Sequence, residues 1–582
     1  MAGGIAPIEF PPPVQSEREF IAGFHDAEDE RIEVGVVIVG GGPGGLACAN
    51  RLMQLLAGDE RLLEQLGEVP VALIEKGRTP GSHLLSGAMM HPSAMKRLFP
   101  DLAESDWPTF GTVPKDRVYF MTRKRAIPLV PTPPPFRNHG NHVTSIAQLG
   151  RFLAQQAEDA GVYILPETAA YKLVVENTSQ GGAGGRVVGI RTGDKGLGPD
   201  GNPLSNFEPG SDVQARVTVL AEGTQGHLAG AAIRHFGLGS GEPQQWELGV
   251  KEVWEVQKPL DRVIHSMGWP LRLRAKYREF GGSFVYPMGE DKVSIGFVAG
   301  LDYRDATFSL HDVLQEFKTH PMIRDILDGG KRIAWGAKTL PSGGYWAMPR
   351  LSVPGMVMVG DAAGMVNVPK LKGVHLAMHA GMYAAEAIFN ALKNGSTDDL
   401  SAYDAAIHGS EIEKDIYRSR NMRQVFARGF FMGGALANAA ELSGGKLPPG
   451  RLHTHDDAGV DVFIGKRYKR YPKPDGKMYF DKLSSVFASG NASRDDAPSH
   501  IRIQTNVPLA VALMWENMCP AQVYEVPDDV KERLASDGGL PDDTPVAVHV
   551  NASNCVQCGA ITAKGGRLTP PEGGEGPNYQ IT

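Results

Sequence analysis

The chain has 582 residues, more than one hydrophobic core accommodates, so we expect two or three structural units. Its formal net charge is −7 and charged residues make up 21% of it. This composition is typical of a globular protein and argues against a basic nucleic-acid-binding protein. No segment has the pattern of a signal or transit peptide. No charge-free apolar run approaches the roughly 20 residues of a membrane-spanning helix.

The predicted elements begin with an alternation of buried strands and helices, which indicates an α/β fold. Residues 81–151 are Pro-rich and are predicted to be a largely irregular insertion. Between about residues 243 and 347 the pattern changes to strands with short helices, typical of a second, inserted unit. The predicted strands are 34–39, 69–75, 161–165, 171–176, 187–192, 213–220 and 356–359; the predicted helices are 44–58, 146–160, 310–317 and 372–394; a loop or hairpin is predicted at 194–210.

A glycine-rich turn directly follows the first strand. Gly40, Gly42 and Gly45 fit the G-x-G-x-x-G pattern of a dinucleotide-binding turn, and Glu75 ends the next strand. Such a turn brings a pyrophosphate onto a helix N-terminus, and the acid accepts hydrogen bonds from ribose hydroxyls. The alternative, an ordinary α/β turn with a surface glutamate, is disfavoured because strand, turn, helix and acid occur together.

Two later motifs indicate that the dinucleotide is FAD rather than NAD. A strand ends at Gly360-Asp361, where an aspartate binds ribityl hydroxyls, and Ala221-Glu222-Gly223 follows the strand 217–220. Together the three motifs resemble the FAD domain of the glutathione reductase/hydroxylase superfamily. Without the other two motifs, Asp361 would be interpreted as a helix N-cap. The predicted FAD-binding residues are Gly40, Gly41, Gly42, Pro43, Gly44, Gly45, Glu75, Gly223, Gly360 and Asp361.

Several longer strings resemble the electron transfer flavoprotein–ubiquinone oxidoreductase family over nearly the whole chain. They are GSHLLSGA at 81–88, LFPD at 98–101, NHGN at 138–141, GHL at 226–228, GWPL at 268–271, GGSF at 281–284, GLDY at 300–303, NVP at 367–369, DKLSSV at 481–486, CPA at 519–521, NCV at 554–556, PEGG at 571–574 and GPNY at 576–579.

The resemblance implies a monotopic membrane enzyme that takes single electrons from reduced electron transfer flavoprotein. It implies transfer through a [4Fe–4S] cluster and FAD to ubiquinone or another membrane quinone. Gly281 and Gly282 would contact the quinone, although the pair alone reads as a turn before a strand at 283–286. Because no leader is seen, we expect the protein to lie on the cytoplasmic face of a bacterial inner membrane.

The resemblance also predicts how the chain meets the bilayer. Residues 429–440 would dip into one leaflet, and the alternative is a core helix. The predicted anchors are Phe426, Phe430, Phe431 and Met432, and the predicted headgroup contacts are Arg418, Arg420, Arg423 and Arg428.

The cysteines depart from the family pattern. The resemblance implies one remote cysteine, matched by Cys519, and a C-x2-C-x2-C triplet, matched by Cys555 and Cys558 but broken at Ile561. Three thiolates are one short of a [4Fe–4S] site. The open alternatives are a [3Fe–4S] cluster, a cubane completed by Thr562 or water, a zinc site, or no cluster. The fourth cysteine, Cys48, lies in the first helix and is expected to be buried there.

The predicted fold is a doubly wound FAD domain with an inserted α+β quinone domain and a C-terminal ferredoxin-like iron–sulfur domain. His83 and Tyr286 are possible neighbours of the flavin or quinone, and no acid–base catalyst is identified. There are two alternatives to the quinone reductase. One is a cluster-free, geranylgeranyl-reductase-like flavoenzyme that uses FAD to reduce or hydroxylate an apolar substrate. The other is a non-catalytic scaffold that docks a flavoprotein. The predicted boundaries are 34–90, 146–242 and 348–400 for the FAD domain, 91–145 and 243–347 for the quinone domain, 401–450 for a membrane-contacting connection and 451–582 for the iron–sulfur domain.

Overall fold

A mainly parallel sheet is the centre of the first unit. The computed structural model describes residues 4–13, 19–87, 89–176, 184–466, 471–536 and 539–582, so Ala88 of the predicted 81–88 motif lies outside the described residues. In spatial order the strands are β1 (Ile21–Ala22), β10 (Ala170–Glu176), β11 (Arg186–Thr192), β14 (Asp212–Leu220), β2 (Ile32–Val39), β3 (Val71–Ile74) and β9 (Tyr163–Leu165), with β21 (Met356–Met358) on β14 and β20 (Ser352–Val353) on β21. Strands β21, β14, β2, β3 and β9 are parallel, as their β-branched and apolar runs predict.

Two long helices pack together on this sheet. Helix α1 (Pro43–Leu56) begins directly after the glycine turn, with Pro43 in its first turn, and α8 (Val374–Lys393) crosses it. A Cβ at Gly381 of α8 would lie 2.1 Å from the carbonyl oxygen of Gly44, so only glycine allows this approach. Cys48 is fully buried in α1, as predicted. Further helices of this unit are α2 (Glu60–Gln65), α3 (Ser93–Leu98), α4 (Ile146–Asp159) and α5 (His227–His235).

A seven-stranded sheet forms the second unit. In spatial order it contains β19 (Lys331–Pro341), β15 (Trp246–Glu255), β18 (Lys292–Gly300), β17 (Gly281–Met288), β16 (Val263–Gly268), β6 (Asp116–Met121) and β7 (Ala126–Pro128). All neighbours are antiparallel except β16 and β6. Helices α6 (Leu310–Phe317) and α7 (Pro321–Leu327) follow β18 in the chain.

Residues 81–151, predicted to be a largely irregular insertion, also contain several short strands. This stretch supplies β6 and β7 to the second sheet, and β4 (Met89–Met90), β5 (Thr109–Thr112) and β8 (His142–Thr144) form a separate small sheet. Pro128 is tolerated within β7 because β7 is an edge strand. The predicted hairpin at 194–210 is confirmed by β12 (Lys195–Leu197) and β13 (Pro203–Glu208).

Short helices connect the sheets to the C-terminal unit. They are α9 (Ser401–Ile407), α10 (Glu411–Arg418) and α11 (Phe430–Leu442), followed by α12 (Lys482–Ala488), α13 (Leu509–Met518) and α14 (Asp528–Ser536). The C-terminal strands pair as β22 (Ile501–Arg502) with β27 (Arg567–Leu568), β23 (Asn506–Pro508) with β25 (Pro545–Ala547), and β24 (Tyr524–Glu525) with β26 (His549–Val550).

The C-terminal unit shares a hydrophobic core with the second sheet. Trp515 of α13 is fully buried, and its indole N–H donates to the carbonyl of Lys564 at 2.8 Å. The chain end then returns to the other two units. The Tyr579 hydroxyl accepts from the Ala337 amide at 3.2 Å, and the Ser145 hydroxyl donates to the carbonyl of Thr582 at 3.0 Å. The C-terminal unit is thereby held against both sheets.

Candidate functional site

The glycine turn forms a cradle at the end of β2. Gly40 has φ +109°, and a Cβ there would lie 2.5 Å from the Ala221 carbonyl oxygen. In α1, a Cβ at Gly45 would lie 2.2 Å from the Gly40 carbonyl oxygen, so the helix can pack this closely on the turn only without a side chain. At Gly42 the nearest atom would be Leu84 Cδ2 at 3.7 Å, which leaves open space on the side that a pyrophosphate approaches.

Glu75 is held in place by two backbone amides. Its Oε2 accepts from the Gly41 amide at 2.9 Å, and its Oε1 accepts from the Gly77 amide at 2.6 Å. Only 8% of this residue is exposed. The carboxylate therefore lies at the rim of the glycine cradle, where the sequence predicts a ribose-binding acid.

The predicted flavin end lies at the same edge of the parallel sheet as the glycine turn, because β14 separates β21 from β2 and all three strands run parallel. Gly360 and Asp361 begin a single 3₁₀ turn (Gly360–Ala363) after β21, and α8 starts soon afterwards. Burial raises the pKa of the Asp361 carboxyl to about 6. Gly223 follows β14 with φ +72° and no atom within 4 Å of a Cβ position.

One cavity of about 310 Å³ brings the two ends together. Nine of the ten predicted FAD-binding residues line it, and Gly45 lies directly behind the lining in α1. The glycine cradle, the anchored acid and the polar flavin end fit an extended dinucleotide such as FAD. His83 and Tyr286, named from the sequence as possible neighbours, also line the cavity.

Four lysines that the sequence reasoning missed also line this cavity. Lys251 Nζ donates to the Ser86 carbonyl at 2.8 Å, and burial lowers its pKa to about 7. Lys372 Nζ donates to Asn138 Oδ1 at 2.6 Å, and burial lowers its pKa to about 8. The sequence gives little signal for these lysines, because β15 carries glutamates as well as Lys251.

The other two of these lysines, Lys76 and Lys338, meet at Gln557. Lys76 Nζ donates to Gln557 Oε1 at 2.5 Å, and Lys338 Nζ donates to the Gln557 carbonyl at 3.1 Å. Burial lowers the pKa of Lys338 to about 8 and also lowers that of Lys76. Such a cationic lining complements the negative charge of a pyrophosphate or a reduced flavin.

A buried pair of polar side chains stands at another wall of the cavity. The Tyr286 hydroxyl lies 2.7 Å from His265 Nε2. Burial lowers the pKa of His265 to about 3 and raises that of Tyr286, so both groups are neutral near pH 7. A neutral pair at hydrogen-bonding distance satisfies both polar groups without placing a charge in the buried site.

Gly281 and Gly282, predicted to contact quinone, lie inside β17 rather than in a turn before it. Neither residue lines the large cavity, although Phe284 and Tyr286 on the same strand do. A Cβ at Gly281 would lie 2.0 Å from the Val298 carbonyl oxygen, and one at Gly282 would lie 2.4 Å from the Ser266 carbonyl oxygen. Close packing between strands therefore requires glycine at both positions, independently of any ligand.

The three C-terminal cysteines line a second, small cavity, and Ile561 lines it with them. The Cys519 sulfur accepts from the amides of Ala521 at 3.4 Å and Val523 at 3.5 Å. The Cys555 sulfur accepts from the Gln557 amide at 3.3 Å. Amide groups directed at buried sulfurs suit thiolates that bind an iron–sulfur cluster. The described ranges contain no group of three or more His, Cys, Asp or Glu side chains that could hold a single metal ion.

The cysteine loop is also a wall of the FAD cavity. Gln557, between Cys555 and Cys558, lines the FAD cavity. The Cys558 carbonyl accepts from both the amide and the hydroxyl of Thr339, each at 2.8 Å, and Thr339 lines the FAD cavity as well. Only a few residues of one loop therefore separate the two cavities.

Helix α11 presents apolar side chains to solvent. Phe431 is 70% exposed and Met432 is 57% exposed, whereas Phe426 is partly buried, with its ring 4.6 Å from that of Phe280. Within the part of the chain that the structure describes, no helix combines the length and apolarity needed to cross a membrane.

The prediction that Arg423 meets lipid headgroups is wrong. Arg423 is 4% exposed, and its guanidinium contacts Asp302 Oδ1 at 2.7 Å. Glu247 lies 3.7 Å from the same guanidinium. A buried arginine with two acidic partners is a structural group between the second sheet and the α11 region, because removing it would leave buried charges unpaired.

Two family models match the chain. The model described as "ETF-QO, ubiquinone-binding" matches residues 246–340, and that described as "Electron transfer flavoprotein-ubiquinone oxidoreductase, 4Fe-4S" matches residues 476–580. The first covers most of the second sheet, and the second covers all three C-terminal cysteines.

Curated relatives match over almost the whole chain. The mitochondrial electron transfer flavoprotein-ubiquinone oxidoreductase of Oryza sativa subsp. japonica is 37% identical over 95% of this chain and 93% of its own length. The electron transfer flavoprotein-ubiquinone oxidoreductase of Pseudomonas aeruginosa is 36% identical over 95% of this chain and 99% of its own. Among solved structures, a geranylgeranyl bacteriochlorophyll reductase-like protein from Thermoplasma acidophilum covers 74% of this chain and 95% of its own. At 19% identity and a TM-score of 0.53, that likeness concerns the fold alone.

Proposed function

Because the chain belongs to the electron transfer flavoprotein–ubiquinone oxidoreductase family, we propose that it accepts electrons from reduced electron transfer flavoprotein and passes them through an iron–sulfur cluster and FAD to ubiquinone. One observation on this chain itself supports the proposal independently of the relatives. The cysteine loop that would hold the cluster is itself a wall of the FAD cavity, through Gln557 and the Cys558–Thr339 contact. Electrons can therefore pass between the two cofactors across a single loop.

The residues that would hold FAD follow from the cavity. Gly40–Gly45 would receive the pyrophosphate at the start of α1, and Glu75, already fixed by two amides, would bind the adenosine ribose. Asp361 would bind the ribityl chain, with Gly360 and Gly223 allowing the cofactor to approach the backbone. When bound, FAD takes electrons singly and delivers two of them to a quinone.

Quinone reduction also consumes two protons, and this chain offers groups to hold them. Lys251 Nζ has a pKa of about 7 as a result of burial, so it both holds and releases a proton near neutral pH. The neutral Tyr286–His265 pair at the same cavity keeps its protons near pH 7, which leaves Lys251 as the group that exchanges one. Gly281 and Gly282 would contact the quinone from β17, the strand that carries Tyr286.

The membrane-facing surface is the α11 side of the molecule. At 13 residues α11 is about 20 Å long, too short to cross a hydrocarbon core of about 30 Å. Exposed Phe431 and Met432 would enter one leaflet, and Arg418, Arg420 and Arg428 would meet anionic headgroups. We place this monotopic contact on the cytoplasmic face of a bacterial inner membrane.

Vesicle binding tests the membrane contact. Phe431→Ser should reduce co-sedimentation with anionic phospholipid vesicles several-fold, because it removes an exposed phenyl group that would enter the lipid. Phe487→Ser is the matched control, since Phe487 is 88% exposed on α12. Equal losses in the two variants, or no loss in either, would contradict the assignment of α11.

Steady-state turnover tests the activity. With electron transfer flavoprotein kept reduced as the donor, the purified holoprotein should reduce ubiquinone, and omitting either partner should stop turnover. Oxidation of a nicotinamide cofactor coupled to reduction or hydroxylation of an apolar substrate, with no quinone reduction, would favour the cluster-free flavoenzyme. Flavin reduction without quinone turnover would favour a docking scaffold.

A further inference from the structure

The cysteine cavity has three thiols and a hydrocarbon group where a fourth ligand would stand. Ile561 follows Cys558 with the spacing that separates Cys558 from Cys555, and all three residues line the cavity together with Cys519. Ile561 is 4% exposed, so its side chain closes that part of the wall to solvent. The fourth cysteine, Cys48, is buried in the α1 core of the FAD unit and is not part of this cavity.

Nearby side chains offer little to replace the missing thiol. The rest of the lining is Met518, Ala521, Val523, Tyr524, Val556, Gly559, Ala560 and Leu568. It contains no carboxylate or imidazole. Thr562 is not part of the lining, and its hydroxyl already accepts from the Leu568 amide at 3.1 Å. Tyr524 carries the only hydroxyl of the lining, and this residue is 3% exposed.

A [4Fe–4S] cluster bound by the three thiols of this cavity would have one iron without a protein ligand, because Ile561 stands where the fourth thiol would be. Each iron of a [4Fe–4S] cluster normally requires a thiolate ligand from the protein. A metal ion without a ligand, facing buried hydrocarbon, carries a large desolvation cost. The other three corners have thiols, two of which already receive amide hydrogen bonds.

We propose that this chain holds a [3Fe–4S] cluster bound by Cys519, Cys555 and Cys558, with the vacant iron corner facing Ile561. The inference rests on the proposed function, in that it assumes that the cavity holds a cluster. It departs from the family model, whose description names a 4Fe-4S cluster. A three-iron cluster still carries one electron at a time, so the proposed electron route is retained. Its reduction potential differs because cluster type is among the factors that set the potential.

Substitution of the hydrocarbon group tests the inference directly. The wild-type protein, Ile561→Cys and Ile561→Val are purified anaerobically, and iron, acid-labile sulfide and FAD are measured in each. The wild type and Ile561→Val should contain about three irons per FAD and show a low-temperature EPR signal in the oxidised state. Ile561→Cys should contain about four irons and show its signal only after reduction, because the new thiol completes the ligand set.

Two further variants exclude other ligands. Cys48→Ala should leave the iron content unchanged, and Tyr524→Phe should leave the oxidised EPR signal in place. Loss of iron in Cys48→Ala, or a change of cluster type in Tyr524→Phe, would overturn the proposed ligand set. About four irons per FAD in the wild type, with an EPR-silent oxidised state, would overturn the three-iron cluster itself.

Iron content and turnover separate this inference from the proposed function. Four irons with normal ubiquinone reduction would contradict the inference and leave the function in place. Three irons without ubiquinone reduction would support the inference and contradict the function. Stoichiometric FAD without iron or sulfide would contradict both the three-iron cluster and the electron route through it.

Discussion

The FAD cavity is built mainly from backbone, whereas the cysteine cavity depends on the identity of single side chains. Around FAD, glycine turns, two amides on Glu75 and the start of α1 form the cradle, and many residues share the binding. Around the cluster, three thiols bind the metal, and one residue, Ile561, decides whether a fourth ligand exists. A site made from backbone geometry is sensitive where an added side chain would displace the backbone, while a site made from ligands changes its cofactor when one ligand is gained or lost.

The largest effect is expected from a side chain added to the cradle. Gly45→Ala places a Cβ 2.2 Å from the Gly40 carbonyl oxygen, which must move, so we expect loss of FAD and a destabilisation of about 1–3 kcal/mol. FAD content and urea unfolding of the FAD-free protein measure the two effects.

Gly42→Ala is the matched control for this prediction. Its Cβ meets nothing closer than 3.7 Å, so the FAD-free protein should keep its stability while FAD affinity falls. Normal FAD affinity in Gly45→Ala would refute the idea that backbone packing builds this site.

Much of this cradle could be predicted from the sequence because most of its residues are neighbours in the chain. The strand, glycine turn and helix at residues 34–58 are contiguous, and Gly360-Asp361 likewise comes directly after a buried strand. The predicted helix at 310–317 matches α6 at both ends. Apolar periodicity and turn chemistry determine such elements without knowledge of the rest of the chain.

The missed features depend on contacts between distant segments. Arg423 looked like a surface cation because its partners, Asp302 and Glu247, are more than 100 residues away. Strands β6 and β7 were missed because they join the sheet through the pairing of β6 with β16, which lies far away in the chain. Two of the cavity lysines, Lys251 and Lys338, lie within strands whose position beside the glycine turn follows only from the tertiary fold.

An intermediate effect, on the pH dependence of stability, is expected from Lys251, whose buried side chain lines the FAD cavity. Because folding lowers its pKa from 10.5 to about 7, the unfolded chain binds more protons between these values. Its contribution therefore makes stability rise with pH across that window, by an amount on the order of a few kcal/mol. Lys251→Met should flatten this rise in urea unfolding of the FAD-free protein between pH 7 and pH 9.

Lys331→Met, which changes an exposed lysine of β19, is the control for this pH dependence. It should leave the difference in unfolding free energy between pH 7 and pH 9 as in the wild type. An equal flattening in both variants would show that the buried position of Lys251 is not responsible.

The smallest effect concerns the wall between the two cavities. The Thr339 hydroxyl donates to the Cys558 carbonyl and contacts the Thr224 hydroxyl, each at 2.8 Å. Thr339→Val should lower the free energy of unfolding by about 1 kcal/mol. Combined with Thr224→Val, the loss should be less than additive, because both single variants remove the shared hydrogen bond. Strict additivity in thermal unfolding would show that this contact contributes nothing.

The most direct test of the electron route is ubiquinone reduction by a variant that loses the cluster but keeps FAD. Cys519→Ala removes one of the three thiols and leaves the FAD cavity intact, since Cys519 does not line it. FAD content should remain stoichiometric, which confirms folding, while ubiquinone reduction driven by reduced electron transfer flavoprotein should be lost. Wild-type turnover in this variant, with FAD bound and iron absent, would contradict a route through the cluster.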